Sequence, residues 1–301
     1  MFTGCGTALV TPFHKDGSLD EETLRALVRR QIGAGVDFLV PCGTTGESPT
    51  LSASERRRVV EITLEEAKGK LPVLAGAGGY NTAEVVEAAK EVEAIGADGI
   101  LSVTPYYNKP TQEGLYQHYK AIAAAVKIPI VVYSVWSRTG INVLPATLKR
   151  LAQIDNIIGV KEASGNIGQM GQVILKTPGD FLVLSGDDSM TLPLLALGGK
   201  GLISVASNEI PAEMAALVRA GLDGDFARAR GLHYKYLPLM EVNFIESNPI
   251  PVKAAMGLMG LLEPVWRLPL TPPEPDHLEK IQEVLANVGI PVKPEAGQEQ
   301  R

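Results

Sequence analysis

The chain has 301 residues, 45% of them hydrophobic, and a formal net charge of −6. This acidic balance, with no extended block of lysine and arginine, argues against nucleic acid or an anionic membrane as a partner. The apolar stretch at 6–13 is too short to span a bilayer and no basic region precedes it, so we expect neither a membrane span nor a signal peptide. Cys5 and Cys42 are the only cysteines, and two isolated thiols indicate a reducing cytoplasm rather than a disulfide framework.

Short runs rich in valine, isoleucine, leucine and glycine alternate with amphipathic helical patterns along the first 222 residues. This alternation predicts eight strands, each followed by a helix. The predicted strands start near Gly6, Asp37, Pro72, Asp98, Ile128, Asn156, Phe181 and Gly201. Helix start signals support the pattern, because Ser18 with Glu21 and Ser52 with Glu55 match the capping box, and Asn81 precedes another helical run.

Alternating strands and helices predict the α/β class, either as a closed barrel or as an open doubly wound sheet. Eight units favour the closed (β/α)8 barrel, the TIM barrel, and no glycine-rich phosphate-binding motif follows the first strand. After residue 222 only helical patterns remain, at about 223–244, 252–262 and 276–288. We therefore predict a barrel at 1–222, a C-terminal helical segment at 223–292 and a disordered tail at 293–301.

In a (β/α)8 barrel the catalytic groups project from the C-terminal ends of the strands. Lys161 directly follows the apolar core of the sixth strand, whereas other lysines precede strands and so lie at the opposite face, namely Lys70, Lys127 and Lys200. Burial disfavours the charged form of a lysine, and an uncharged amine can form a Schiff base with a carbonyl substrate. The other interpretation is a lysine that pairs with Glu162 and extends to solvent.

Three further features are expected near this lysine. The turn at 43–46 brings the hydroxyls of Thr44 and Thr45 together with backbone N–H groups, which suits a carboxylate. Tyr133 ends the fifth strand and could carry a proton, and Arg138 offers a planar fork for a second carboxylate. Each feature also has a purely structural interpretation: an ordinary turn, a core tyrosine and a surface arginine.

Together these side chains predict an imine-forming lysine between two carboxylate anchors. The simplest substrate is a 2-oxo acid such as pyruvate, because its imine acidifies the methyl group and the resulting enamine attacks an aldehyde. This is class I aldolase chemistry, for which we expect neither cofactor nor metal, and the four scattered histidines have no zinc-binding spacing. Asp187 and Asp188, at the end of the seventh strand, are expected to cap the next helix rather than to act in catalysis.

Five motifs are similar to those of the dihydrodipicolinate synthase/N-acetylneuraminate lyase family, over about residues 4–291. They are GTTGE at 43–47, TPYYNKPT at 104–111, GVKEA at 159–163, SGDD at 185–188 and NPIPVK at 248–253. The resemblance implies condensation of pyruvate with aspartate 4-semialdehyde, in diaminopimelate and lysine biosynthesis, by a cytoplasmic homotetramer built from two dimers. The alternatives are a sibling aldolase acting on sugar acids or 4-hydroxy-2-oxo acids, and a non-catalytic pyruvate-binding homologue.

The resemblance also implies catalytic roles for individual residues. Lys161 matches the family's Schiff-base lysine. Thr44, Tyr133 and Tyr107 match a proton relay, in which Tyr107 reaches in from a neighbouring subunit. All four residue types are present, which argues against the non-catalytic alternative.

Substrate-binding roles follow in the same way. Thr45 matches the residue that holds the pyruvate carboxylate, and Arg138 matches the one that holds the carboxylate of the aldehyde. Ile203 and Gly186 match positions that line the site.

Two departures from the family pattern stand out. After Tyr133 the usual asparagine and proline are replaced by Ser134 and Trp136, and we expect the bulk of Trp136 to reshape the aldehyde pocket. Lysine-inhibited relatives carry two histidines and an asparagine at positions that are Ala53, Arg56 and Tyr80 here, although Ser48, Glu84 and Tyr106 match. Because Arg56 would repel the ammonium of a bound lysine, we predict weak or absent feedback by lysine.

Overall fold

The computed structural model describes residues 1–293. Eight parallel strands form one sheet in the order β2-β1-β8-β7-β6-β5-β4-β3. The strands are β1 (Gly4–Ala8), β2 (Phe38–Val40), β3 (Leu74–Gly76), β4 (Gly99–Val103), β5 (Ile130–Ser134), β6 (Ile157–Glu162), β7 (Leu182–Ser185) and β8 (Gly201–Ser204). A bridge between Leu39 and Val73 joins β2 to β3, so the sheet closes into a barrel and the predicted fold class is confirmed.

Helices separate the strands and continue beyond them, as the sequence pattern predicts. In the described residues they are α1 (Glu21–Ala34), α2 (Ala53–Ala67), α3 (Thr82–Ile95), α4 (Gln112–Ala125), α5 (Trp136–Thr139), α6 (Pro145–Leu151), α7 (Ile167–Lys176), α8 (Thr191–Ala196), α9 (Pro211–Leu222), α10 (Phe226–Val242), α11 (Ile250–Leu258) and α12 (Pro275–Asn287). None of those at 1–293 is both long and apolar enough to cross a membrane.

Two predicted helix starts have different outcomes. The capping box of Ser52 and Glu55 is present at the start of α2. The one predicted for Ser18 is wrong, because α1 begins after Asp20, whose carboxylate accepts a hydrogen bond from the backbone N–H of Thr23 at 3.0 Å. The Ser18 hydroxyl instead donates to Asp16 at 2.6 Å. Asp20, which directly precedes the helix, therefore caps α1 in place of Ser18.

Apolar side chains fill the inside of the barrel. They include Ala8, Val40, Leu74, Leu101, Val131, Leu184 and Ile203. Because side chains alternate between the two faces of a strand, Tyr133 follows Val131 on the inner face, at the C-terminal end of β5. The polar groups at this end of the barrel therefore lie over a packed apolar interior.

The C-terminal helices pack on one side of the barrel. They form a second apolar cluster with α9 that includes Leu217, Leu239 and Leu285. This cluster carries the segment at 243–249, between α10 and α11, to the mouth of the barrel. The division of the chain at residue 222 remains a prediction, and the predicted tail, apart from Lys293, lies outside the described residues.

Candidate active site

Lys161 and Tyr133 lie side by side at the C-terminal ends of β6 and β5. They are partners in the register of these strands, and the Lys161 Nζ is 4.2 Å from the centre of the Tyr133 ring. Only 5% of Lys161 is exposed. Glu162, its partner in the alternative interpretation, is on the opposite face of β6 and accepts a hydrogen bond from Gln169 at 2.8 Å. The amine is therefore buried beside a phenol rather than neutralised by the adjacent carboxylate.

A cavity of about 320 Å³ opens beside this amine. Six of the eight predicted site residues line it: Lys161, Tyr133, Thr44, Thr45, Arg138 and Gly186. They come from the ends of four different strands and from the loops that follow, which is where (β/α)8 barrels place reactive groups. These six residues thus bring one amine, one phenol, two hydroxyls and one guanidinium to a single small volume, whose wall also includes Ser137, Asp187 and Ser247.

The other two predicted residues lie elsewhere. Ile203 is fully buried inside the barrel, and Val205, two residues further along, lines the cavity instead. Tyr107 points outward on the loop after β4, with 91% of its surface exposed. Its φ of +69° is in the left-handed region, which non-glycine residues rarely adopt. One chain by itself therefore brings Thr44 and Tyr133, but not Tyr107, to the cavity.

Gly186 leaves the space that the lysine side chain occupies. A Cβ at this position would lie 3.1 Å from the Lys161 Cε and 2.7 Å from the Ala163 Cβ. The second distance is shorter than real side chains allow, so any larger residue would displace the chain around the amine. This gives the predicted site glycine a steric role at the cavity wall.

Asn248 is a site residue that the sequence pattern did not single out. Its side-chain amide donates to the Thr45 hydroxyl at 2.9 Å, and its backbone carbonyl accepts from the Arg138 guanidinium at 3.1 Å. It lies more than 100 residues from both partners, so only the fold brings the three together. The sequence feature that could have identified Asn248 is its place as the first residue of the NPIPVK motif at 248–253.

A fully buried ion pair supports the turn that carries Thr44 and Thr45. The Lys253 amine lies 2.6 Å from a Glu47 carboxylate oxygen, and both side chains are 0% exposed. Lys253 also donates to the backbone carbonyl of Thr11 at 3.1 Å. Burial lowers the pKa of Lys253, and the Glu47 charge opposes that shift. Because Lys253 belongs to α11, this pair fastens the C-terminal helices to the barrel mouth.

A second cavity of about 290 Å³ shares part of the same wall. Thr44, Tyr133 and Arg138 face both cavities, and the second one extends to Ser48, Arg56 and Tyr106. Arg56 thus lines this cavity together with Ser48 and Tyr106, two of the positions that match lysine-inhibited relatives. Its guanidinium donates to the Leu51 carbonyl at 2.9 Å, which fixes its position there.

The expectation that Asp187 and Asp188 cap the next helix is wrong. Helix α8 begins at Thr191 and no side chain caps it. Asp187 accepts from the Ser189 N–H at 2.9 Å, within the turn itself. Asp188 is buried, and accepts hydrogen bonds from the Ser204 hydroxyl and from the Val205 N–H at 3.0 Å. Burial raises the pKa of Asp188 to about 6. Its contacts fix the end of β8 rather than the start of α8.

Trp136 does not form part of the cavity wall in the described residues, contrary to expectation. It opens the short helix α5, and 55% of its surface is exposed. The neighbouring Val135 and Ser137 line the cavity instead. The reason is helical geometry, because successive residues of one turn point in different directions.

A closed parallel barrel with a buried lysine amine at the mouth of β6, next to a phenol and two hydroxyls, defines the class I aldolase type of site. The chain belongs to the dihydrodipicolinate synthetase family, whose model matches residues 1–288.

Individual relatives cover nearly the whole chain. It is 57% identical to the 4-hydroxy-tetrahydrodipicolinate synthase of Koribacter versatilis, over 95% of this chain and 96% of that protein. It is 53% identical to the enzyme of the same name from Syntrophus aciditrophicus, over 96% and 99% of the two chains. The crystal structure of dihydrodipicolinate synthase from Aquifex aeolicus superposes with a TM-score of 0.95 at 46% identity, over 97% of this chain and 100% of that one.

Proposed function

We propose that this protein is a carbon–carbon bond-forming lyase that condenses pyruvate with aspartate 4-semialdehyde to give 4-hydroxy-tetrahydrodipicolinate, in diaminopimelate and lysine biosynthesis. The observation that carries the proposal is the Lys161 amine, buried 4.2 Å from the Tyr133 ring in a cavity with carboxylate-binding groups. Relatives at 50–57% identity are named 4-hydroxy-tetrahydrodipicolinate synthase, which supports the proposal.

The reaction begins when the Lys161 amine attacks the ketone carbon of pyruvate. Water leaves to give the imine, and Tyr133 with Thr44 moves the protons between the nitrogen, the oxygen and solvent. The imine draws electrons from the methyl group, which loses a proton to become an enamine. The enamine carbon then forms a bond to the aldehyde carbon, and the new alkoxide takes a proton. The amino group of the second substrate finally attacks the imine carbon, closes the ring and releases Lys161.

Two anchors hold the two carboxylates in this scheme. Thr45 and the backbone of its turn bind the carboxylate of pyruvate, while Arg138 binds that of the aldehyde. Gly186 and Val205, two residues beyond Ile203, complete the wall. The hydrogen bonds of Asn248 to Thr45 and Arg138 support this pairing, because they hold both anchors relative to each other.

The imine itself serves as the electron acceptor, so this chemistry proceeds without an added cofactor. We infer a cytoplasmic homotetramer made of two dimers. The outward position of Tyr107 supports the oligomer, since this residue of the proposed relay lines neither of the two cavities described above.

A panel of aldehydes tests the substrate assignment. Pyruvate consumption is followed with aspartate 4-semialdehyde, with an uncharged aldehyde of the same length, and with sugar aldehydes. We expect clear preference for the semialdehyde, because Arg138 selects a carboxylate. Turnover of sugar aldehydes alone would show a sibling aldolase instead.

A further inference from the structure

The outer face of β5 and β6 carries a second pair of polar residues, back to back with the reactive pair. In the strand register Tyr133 lies opposite Lys161, and Ser134 lies opposite Glu162. Because side chains alternate, the first pair faces the barrel interior and the second faces the surrounding helices. Both Ser134 and Glu162 are buried, at 1% and 0% exposure.

Gln169 of α7 satisfies the buried carboxylate. Its Nε2 donates to Glu162 at 2.8 Å and also to the Asn142 Oδ1 at 3.1 Å. Burial raises the pKa of Glu162, and an unpaired buried carboxylate is costly. Gln169 therefore has little freedom to turn away from this position.

Asn142, which belongs to the loop segment at 135–143, connects this segment to Gln169 and to the strand β5. Its Nδ2 donates to the Gln169 Oε1 at 2.6 Å, and its Oδ1 accepts from the Ser134 hydroxyl at 3.3 Å. The next residue, Val143, donates its N–H to the Ser134 hydroxyl at 3.2 Å. Side chain and backbone of the loop are thus both tied to the outer face of the barrel.

The same loop carries Arg138, four residues before Asn142. On its other side the guanidinium donates to the backbone of Asn248. We propose that Asn142 is a positioning residue for the second substrate: its hydrogen bonds to Gln169 and Ser134 fix the loop, and with it Arg138, relative to the strand that carries Lys161. This inference rests on the proposed function, in which Arg138 binds the carboxylate of the aldehyde.

The test measures steady-state kinetics of Asn142→Ala with each substrate varied in turn. The KM for aspartate 4-semialdehyde should rise about tenfold, as expected when Asn142 loses its three side-chain hydrogen bonds to Gln169 and Ser134. The KM for pyruvate and the rate of borohydride trapping with pyruvate alone should stay within about twofold. The ratio of kcat/KM for the semialdehyde to that for an uncharged aldehyde of equal length should fall by the same factor as the KM for the semialdehyde rises.

Two further variants separate positioning from general damage. Asn142→Asp replaces the donor to the Gln169 Oε1 by a carboxylate oxygen that repels it, so the KM for aspartate 4-semialdehyde should rise at least as much as for alanine. Ser134→Ala removes one hydroxyl and should shift the same KM in the same direction, which keeps the test open if Asn142→Ala fails to fold.

Asn156→Ala is the matched control. Asn156 makes two partly buried side-chain hydrogen bonds, to the carbonyls of Ala123 and Val126, before the start of β6 at the far face of the barrel. It should lower thermal stability without changing the aldehyde KM. Equal rises in both KM values of Asn142→Ala, or an unchanged preference for the charged aldehyde, would overturn the positioning role. Failure of the wild-type protein to condense the two substrates would instead overturn the proposed function.

Discussion

Two lysines are buried near the mouth of this barrel, and their surroundings differ. Lys253 is fully buried, with Glu47 at 2.6 Å and a backbone carbonyl at 3.1 Å as partners. Lys161 is buried beside the Tyr133 ring and opens onto a cavity. A paired buried amine is held as a structural cation, whereas an amine that faces a cavity beside a phenol is available to a substrate. Burial alone therefore does not mark a reactive lysine.

Replacing Lys161 should have the largest effect on activity. Lys161→Ala is expected to lower kcat by at least about 10³-fold, because no imine can form. Lys161→Arg is the matched control, since it retains a cation but forms no Schiff base, and it should be equally inactive. Both variants should keep the circular dichroism spectrum of the parent. Substantial activity in either Lys161 variant would show that Lys161, like Lys253, is not the amine that forms the imine.

Replacing Lys253 should act on stability instead. Lys253→Met leaves the Glu47 carboxylate buried without its partner, so we expect the free energy of unfolding to fall by about 3–5 kcal/mol. The double variant with Glu47→Gln should recover part of this loss. Urea denaturation measures both. If Lys253→Met were fully stable but no longer gave a borohydride-trapped adduct, the reactive amine would be Lys253 and not Lys161.

Gly186→Ala tests the space around the reactive lysine. The added methyl group would press on Ala163 and on the Lys161 side chain, and overpacking of this kind costs about 1–3 kcal/mol. We expect imine formation with pyruvate to slow by about tenfold, with a smaller loss of stability than for Lys253→Met. Gly179→Ala, at a position outside the left-handed region of φ where an added Cβ meets nothing within 4 Å, controls for the change of residue type. Unaltered trapping in Gly186→Ala would contradict the steric role.

Lysine at millimolar concentration should inhibit weakly or not at all. Arg56 lines the cavity next to the reactive one, and its charge repels the ammonium groups of the ligand. Initial rates with and without lysine measure this, and Arg56→His should increase any response. Strong inhibition at submillimolar lysine would show that the second cavity binds the ligand despite Arg56.

The smallest effect is expected at Trp136. Its side chain is half exposed and outside the cavity wall, and proline is well tolerated at the first position of a helix. Trp136→Pro should therefore change the KM for aspartate 4-semialdehyde by less than about twofold. A larger change would restore the expectation that Trp136 shapes the aldehyde pocket.

The repeating parts of the structure could be predicted from sequence. Strand positions follow from short apolar runs. Lys161 could be predicted as reactive because it directly follows one of these runs, whereas Lys70, Lys127 and Lys200 precede them. Contacts between distant segments could not be predicted. Asn248 and Asn142 matter through partners on other strands and helices, and Asp188 fixes β8 because Ser204 folds next to it. Ser18 failed as a cap for a local reason, since Asp20 was the nearer acceptor.

The most direct measurement is borohydride reduction in the presence of pyruvate, followed by peptide mass mapping. We expect a reduced pyruvate adduct on Lys161 and none on Lys253, with no adduct at all when pyruvate is left out. An adduct on any other lysine, or full activity without trapping, would contradict this expectation.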